Sequence, residues 1–146
     1  MMQRSRIIPA IFQWLQSTEL FSRPSRQIRG RWALFEFYVE PGEVLIHRDE
    51  KQLRDEKLFW EIEIAAGGSF RQRTNIPGGF LPAVTACQWR CSKNFLLLSD
   101  PGNPENKREY QFAIDRGILK LLKKRVSGKI EVFAFFRPME GSKALF

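Results

Sequence analysis

The sequence contains very few of the side chains that metal sites and catalytic triads usually require. His47 is the only histidine, which excludes any metal site built on two histidines. It is surrounded by charged residues in a long connection, so we expect a surface histidine. Cys87 and Cys91 are four residues apart on a predicted strand, about 13 Å along its axis and too far for a local disulfide. We predict two reduced, buried thiols, no metal site and no cofactor, and reduced thiols favour a cytoplasmic location.

Long hydrophobic runs are also missing. The longest wholly apolar run covers residues 132–136, far short of the ~20 residues that a transmembrane helix needs. The basic N-terminus lacks the continuous apolar region and the small-residue cleavage site of an ordinary signal peptide. No phosphate-binding loop of the Walker type is present either. The sequence therefore predicts neither a membrane-spanning helix nor a nucleotide-hydrolysing site.

Positive charge and aromatic residues are abundant. The net charge is +8, and aromatic residues make up 13% of the 146 residues, with 13 Phe among them. The basic residues concentrate in two regions, 1–31 and 116–129. Two patches on a nearly neutral body indicate nucleic-acid binding less strongly than a continuous basic stripe would, so a nucleic-acid partner is not favoured.

The order of elements predicts one small helix followed by a β-domain. Apolar residues in 7–21 follow helical spacing, so residues 1–29 are interpreted as a short helix and a connector. Residues 30–138 form the predicted β-domain, and 139–146 form a tail. Eight runs have strand character, with a weaker candidate at 43–47: 31–39, 58–65, 69–75, 84–91, 95–99, 109–115, 118–124 and 130–137.

The connections between these runs favour an antiparallel meander. All but the first are short enough for hairpins, and long loops alternate with tight turns. Long loops should then collect at one end, with an 18-residue loop after the first strand and a nine-residue loop at 100–108. Eight meandering strands close well into a barrel. We predict an all-β protein: an eight-stranded antiparallel up-and-down barrel with a short N-terminal α-helix.

Three motifs within residues 30–137 resemble those of lipocalin-like proteins of the calycin superfamily. Gly30-Arg31-Trp32 matches the Gly-x-Trp motif at the start of the first strand, and Asp115 is what remains of the Thr-Asp-Tyr motif. Arg137 matches the arginine near the end of the last strand. The resemblance implies a divergent lipocalin-like barrel in which Arg137 lies against Trp32 at the closed end, forming a structural pair.

Strand alternation identifies a candidate ligand site inside the barrel. Hydrophobic side chains alternate with a few polar ones, which is typical of small-molecule sites. The predicted ligand-binding residues are Glu36, Tyr38, Trp60, Ile62, Gln72, Thr74, Tyr110 and Phe112. The same residues could instead form a filled core in which the polar groups satisfy one another.

Alternation also predicts an aromatic patch outside the barrel. Phe35 and Phe37, with Ala33 and Val39, should face outward on the first strand, beside Phe133 and Phe135 on the last. Proteins rarely leave an aromatic patch of this kind exposed to solvent. Either the N-terminal helix or a second subunit, in a homodimer, should cover it.

Three functions fit these patterns. The first is non-enzymatic binding of a small apolar or amphipathic ligand, with Lys123, Lys124, Arg125 and Lys129 favouring an anionic head group. The second is a filled-core interaction module that associates with nucleic acid or protein through its basic N-terminal arm. The third is a calycin-type enzyme with Glu36 or Tyr38 as acid or base, although the sequence offers little else for catalysis.

Overall fold

A computed structural model of the protein describes residues 27–78 and 86–139. The predicted helix at 7–21 and nearly all of the predicted tail lie outside these residues. The described chain contains nine strands and one short helix. In chain order they are β1 Gly30–Val39, β2 Ile46–Arg48, α1 Glu50–Asp55, β3 Trp60–Ile64, β4 Ser69–Thr74, β5 Ala86–Ser92, β6 Phe95–Asp100, β7 Asn103–Asp115, β8 Ile118–Lys124 and β9 Ile130–Pro138.

Eight of these strands close into an antiparallel barrel, as predicted. β1 and β3 to β9 pair in sequence order, and β9 returns to pair with β1. The short β2 adds to the same edge of β1 as β3, beside Phe37 to Val39, whereas β3 pairs with Gly30 to Ala33. Within the described residues no helix is long and apolar enough to cross a membrane.

Tight turns gather at one end of the barrel, here called the lower end. β3 and β4, β5 and β6, and β7 and β8 are joined there by residues 65–68, 93–94 and 116–117. Arg116 and Gly117 both have positive φ, 54° and 78°, the conformation of the two-residue hairpin turns that match strand twist. The lower end is therefore the closed end that the loop lengths predicted.

The start of β1 seals this lower end. Gly30 has a φ of 134°, a conformation open to glycine and strained for other residues. It directs Trp32 into the core, where the indole is 5% exposed. The Trp32 Nε1 donates a hydrogen bond to the carbonyl oxygen of Ile28 at 2.8 Å, and Ile28 itself is fully buried. The sequence placed Ile28 in a polar connector, so this contact was not foreseen.

The opposite, upper end differs from the prediction in two connections. The nine-residue loop at 100–108 was wrong, because β7 begins at Asn103 and only Pro101 and Gly102 separate it from β6. The 18-residue first loop contains β2 and α1. Asp49 caps α1, accepting from the Gln52 amide at 2.9 Å and donating its own amide to the Gln52 side chain at 2.8 Å. Leu53 then enters the main core.

A bulge in β1 changes which side chains point inward. The pairing of β1 with β9 shifts register between Leu34 and Glu36, so Phe35 is an extra residue. Beyond it, Phe37 is buried in the main core and Val39 packs against it. The prediction that Phe37 and Val39 face outward was therefore wrong, and Glu36 and Tyr38 take the outward positions.

Candidate functional site

Six of the eight predicted ligand-binding residues face the barrel interior or its rim. Trp60 and Ile62 pair with Thr74 and Gln72 across β3 and β4, and Tyr110 and Phe112 belong to β7. All but Thr74 are buried. The Trp60 Nε1 donates to the Gln72 Oε1 at 2.8 Å, so the one buried amide in this group has an internal partner. Contact between these side chains and a ligand remains a prediction.

The middle of the interior is closely packed. Trp60 and Phe136 meet edge to face with ring centroids 5.1 Å apart. Neighbouring side chains from every strand of the barrel join one continuous cluster. Tyr110, Leu96 and Leu121 are at most 2% exposed, whereas a ligand-sized cavity would leave its walls accessible to a water-sized probe. In the middle of the barrel, the filled-core alternative therefore describes the interior better than an open ligand cavity does.

Glu36 and Tyr38 were predicted inside the barrel, and this placement was wrong. Because of the bulge at Phe35 they lie on the outer face, where Tyr38 packs with a second, smaller hydrophobic cluster. The enzyme hypothesis required Glu36 or Tyr38 to act as acid or base in a pocket inside the barrel. Neither side chain lies there. Phe133 and Phe135 do face outward, as predicted, and belong to the same outer cluster.

His47 joins these two side chains in a compact polar cluster. It lies on β2 opposite Tyr38, and the two rings stack with centroids 4.2 Å apart and planes 7° from parallel. The His47 Nε2 is 2.6 Å from a Glu36 carboxylate oxygen, to which the Tyr38 hydroxyl also donates at 3.2 Å. Burial, with the charge and hydrogen bond of Glu36, raises the pKa of Tyr38 to about 12. His47 is thus a partner of β1 rather than the solvated surface residue expected.

Arg137 does not stack on Trp32, so the predicted structural pair was wrong. Its guanidinium carbon lies 4.1 Å from the ring centroid of Phe35, on the outer face. The Arg137 Nη1 also lies 2.6 Å from a Glu50 carboxylate oxygen on α1. Trp32 points to the opposite, inner side of the same strand. The cation–π contact exists, but the bulge supplies a different aromatic ring.

Charged side chains instead gather inside the upper end of the barrel, beside Tyr110. Arg108 follows the inward face of β7, two residues before Tyr110 and opposite the buried Leu98. Lys123 follows the inward face of β8 after Leu121, and its Nζ lies 2.7 Å from a Glu131 carboxylate oxygen. Burial raises the pKa of Tyr110 above its usual range, and the charges of Arg108 and Glu131 also act on it, lowering and raising it respectively.

Arg108 is the least satisfied of these groups. Its Nη1 donates to the Lys107 carbonyl oxygen at 3.2 Å. Its Nε is buried without an acceptor, and among the described residues no carboxylate lies within ion-pairing distance of the guanidinium. An arginine of this kind is a ready donor to an anion. The sequence assigned Arg108 to a polar loop, where alternation could not reveal its inward direction.

The cations of the last hairpin are less available than the sequence suggested. Lys123 pairs with Glu131. The Lys129 Nζ bonds the Gly42 carbonyl oxygen at 2.9 Å and lies 3.4 Å from a Glu43 oxygen. The loop after β1 therefore neutralises part of the hairpin.

No metal centre is found in the part of the chain that the structure describes, where no three His, Cys, Asp or Glu residues group suitably. Cys87 and Cys91 are both free, with Cys87 buried and Cys91 partly buried. Burial raises the pKa of the Cys91 thiol to about 11. Burial, with the charge of Asp100, also raises the pKa of the Cys87 thiol, which works against the reactive thiolate form.

Two cavities border the strands of the barrel. One, of about 300 Å³, is lined by charged residues of β3 and β4 with Arg31 and Met139. The other, of about 620 Å³, is lined by residues 88–90, 97–99 and 107–109 of three adjacent strands. Both were missed from the sequence, because the shape of a cavity depends on how strands and loops come together.

Comparison with known proteins gives little further information. No protein-family model and no curated protein sequence matches the chain. Among solved structures, it is similar to a mutant of the fluorescent protein UnaG, at 10% sequence identity and a TM-score of 0.43. The match covers 78% of this chain and 97% of that chain.

Proposed function

We propose that this protein, a divergent lipocalin-like barrel, binds a small amphipathic anion at its upper end without catalysing a reaction. The observation that carries the proposal is the inward-facing Arg108, whose buried Nε has no acceptor. A buried donor without a partner costs about 1 to 3 kcal/mol. A carboxylate or phosphate ligand would remove that cost and would gain charge-assisted hydrogen bonds.

The surroundings of Arg108 suit an apolar ligand body. Leu98 lies opposite Arg108 on β6, and Trp89 lies opposite Leu98 on β5. All three point to the inside of the barrel, where Trp89 packs against the main core. The head group would bind Arg108 while the body lies along Leu98. Trp89 extends this apolar surface towards the lower end, where its Nε1 donates to the Ala65 carbonyl oxygen at 2.7 Å.

The test is a calorimetric titration of the full chain with a long-chain fatty acid and with the alcohol of the same length. The acid should bind more tightly than the alcohol, and Arg108→Gln should remove the difference. Arg54→Gln, which removes one positive charge from the exposed face of α1, is the matched control and should behave as the parent protein. Equal affinity for acid and alcohol in the parent protein would rule out the anionic head group.

The packed middle of the barrel favours a second candidate, the interaction module. In that function the barrel is a rigid support, and the basic N-terminal arm contacts nucleic acid or protein. Native mass spectrometry separates the two candidates, because a bound small molecule adds mass to the barrel. Without a bound molecule, steeply salt-dependent association with an oligonucleotide would support the second. A cytoplasmic location, inferred from the two free cysteines, fits both candidates.

A further inference from the structure

The larger cavity borders β5, β6 and β7 along the strand segments that carry Trp89, Leu98 and Arg108, and these three residues belong to its lining. Its volume is about 620 Å³, within the range of small-molecule sites. Two cross-strand rows of outward-facing side chains make up most of its lining. One row is Gln88, Ser99 and Lys107, and the other is Arg90, Leu97 and Glu109.

Three charged side chains of this cavity have no partner among residues 27–78 and 86–139. In the described part of the chain, the side chains of Arg90, Lys107 and Glu109 make no hydrogen bond or ion pair. Arg90 and Glu109 are kept apart because Leu97 stands between them, two strand spacings or about 10 Å in total.

The outer face of β3 and β4 provides the contrast. There each glutamate lies directly opposite an arginine: the Arg73 Nη2 is 2.6 Å from a Glu61 oxygen, and the Arg71 Nε is 3.7 Å from a Glu63 oxygen. The charges of that surface neutralise one another across adjacent strands. On β5 to β7, Glu109 lies opposite Leu97 rather than opposite a cation, and its charge remains available to a ligand.

We propose that this cavity is a second binding site, for a hydroxylated small molecule with a single anionic group, the chemistry of a sugar phosphate or a sugar acid. Lys107 and Arg90 attract the anionic group, and the Ser99 hydroxyl and Gln88 amide lie in the row with Lys107 to hydrogen-bond it. Glu109 repels a second anion but accepts hydrogen bonds from hydroxyl groups. The arrangement therefore selects one negative charge together with neutral donors.

This site is separate from the one proposed at the upper end. Arg108 faces inward with Tyr110, whereas its neighbours Lys107 and Glu109 face outward. Trp89, Leu98 and Arg108 also border the cavity, but their side chains point to the inside of the barrel, and the charged groups proposed to bind here belong to the outward-facing rows. Substitutions on one face should affect ligand binding on the other far less, so the two proposals can fail independently.

The experiment is calorimetric titration of the full chain with ribose 5-phosphate, gluconate and ribose at moderate salt. We expect at least one of the two anions to bind and ribose to bind far more weakly. Arg90→Gln and Lys107→Gln should each weaken anion binding by about tenfold, the loss expected for one charge-assisted contact. Arg54→Gln again serves as the control for net charge, and Arg108→Gln, whose side chain points to the inside of the barrel, should weaken binding of these ligands far less than Arg90→Gln does.

Glu109→Gln completes the design. It should allow a second anionic group, so that ribose 1,5-bisphosphate binds the variant more tightly than it binds the parent protein. Absence of anion binding in the parent protein, or equal effects of Arg90→Gln and Arg54→Gln, would overturn the proposal. Loss of fatty-acid binding alone would overturn only the site at Arg108.

Discussion

At the scale of single residues, the direction of a side chain decides its role, and one inserted residue reverses that direction. Trp32, before the bulge, points inward as its motif suggested. Glu36 and Tyr38, after it, point outward and meet His47. Strand alternation is reliable only as far as the next bulge, and nothing in the sequence around Phe35 signals one.

Trp32→Ala should destabilise the protein strongly. The indole fills the closed end and its Nε1 bonds the Ile28 carbonyl oxygen, so removal leaves a large cavity and an unpaired acceptor. Loss of a buried tryptophan costs ~3 to 5 kcal/mol, measurable by urea unfolding. Trp32→Phe keeps most of the volume and should lose less. An unfolding midpoint for Trp32→Ala within error of the parent would contradict the buried position.

The ionisation of Tyr38 gives a second residue-scale prediction. The protein has two tyrosines, so Tyr110→Phe leaves Tyr38 as the only one. Burial and the neighbouring Glu36 raise its pKa to about 12, against ~10 in an unfolded chain. The folded state holds the proton more tightly, so this contribution to stability is complete below pH ~10 and is lost as the pH rises towards 12.

Ultraviolet absorbance of tyrosinate measures this directly. After a rapid pH jump, the folded Tyr110→Phe variant should ionise with a midpoint about two pH units above that of the same protein in urea. Glu36→Gln, added to this variant, should lower the midpoint because it removes the negative charge. An unchanged midpoint in the double variant would show that Glu36 does not act on Tyr38.

At the scale of elements, α1 was the hardest feature to predict. It has six residues, and only Leu53 is buried, so no helical hydrophobic period can form. Its sequence signal was the pair Asp49 and Gln52, three residues apart, which the structure uses as a capping box. The early start of β7 was obscured for a related reason, because its first residues show no hydrophobic alternation, and Asn103 and Lys107 to Glu109 join the sheet by pairing with β6.

Leu53→Ala tests whether the packing of α1 against the core contributes to the stability of the fold. Leu53 is 4% exposed and packs in the main core. The substitution should cost about 2 to 5 kcal/mol in urea unfolding. Its exposed neighbour provides the control, since Arg54→Ala should cost less than about 1 kcal/mol. Equal small losses for both variants would mean that the core does not depend on α1.

At the scale of the whole molecule, the barrel and its closed end could be predicted from the sequence, and the binding surfaces could not. Strand alternation in residues 58–75 and the tight turns required only local patterns. Arg108 and the larger cavity depend on which strands become neighbours and on how each is registered. Only the three-dimensional structure shows that Arg90 and Glu109 are separated by Leu97.

Removing residues 1–25 should change the oligomeric state. The sequence predicts an amphipathic helix there that covers the outer aromatic face, which in the structure contains Phe35, Tyr38, Phe133 and Phe135. The truncation retains Ile28, so the closed end stays intact. Analytical ultracentrifugation should show a dimer or larger species. A stable truncated monomer that binds no more hydrophobic dye than the full chain would mean that this helix is not the cover.

The closure of the barrel through β1 and β9 has a consequence for how fast the protein folds. Trp32 pairs opposite Pro138, so the contact that completes the sheet joins opposite ends of the described chain. Such distant pairings carry a large loop-closure entropy, and proteins dominated by them fold in milliseconds to seconds rather than microseconds. We expect the seam between β1 and β9 to form after the rate-limiting step. Phe35→Ala, at the bulge in this seam, should therefore accelerate unfolding while leaving the refolding rate nearly unchanged.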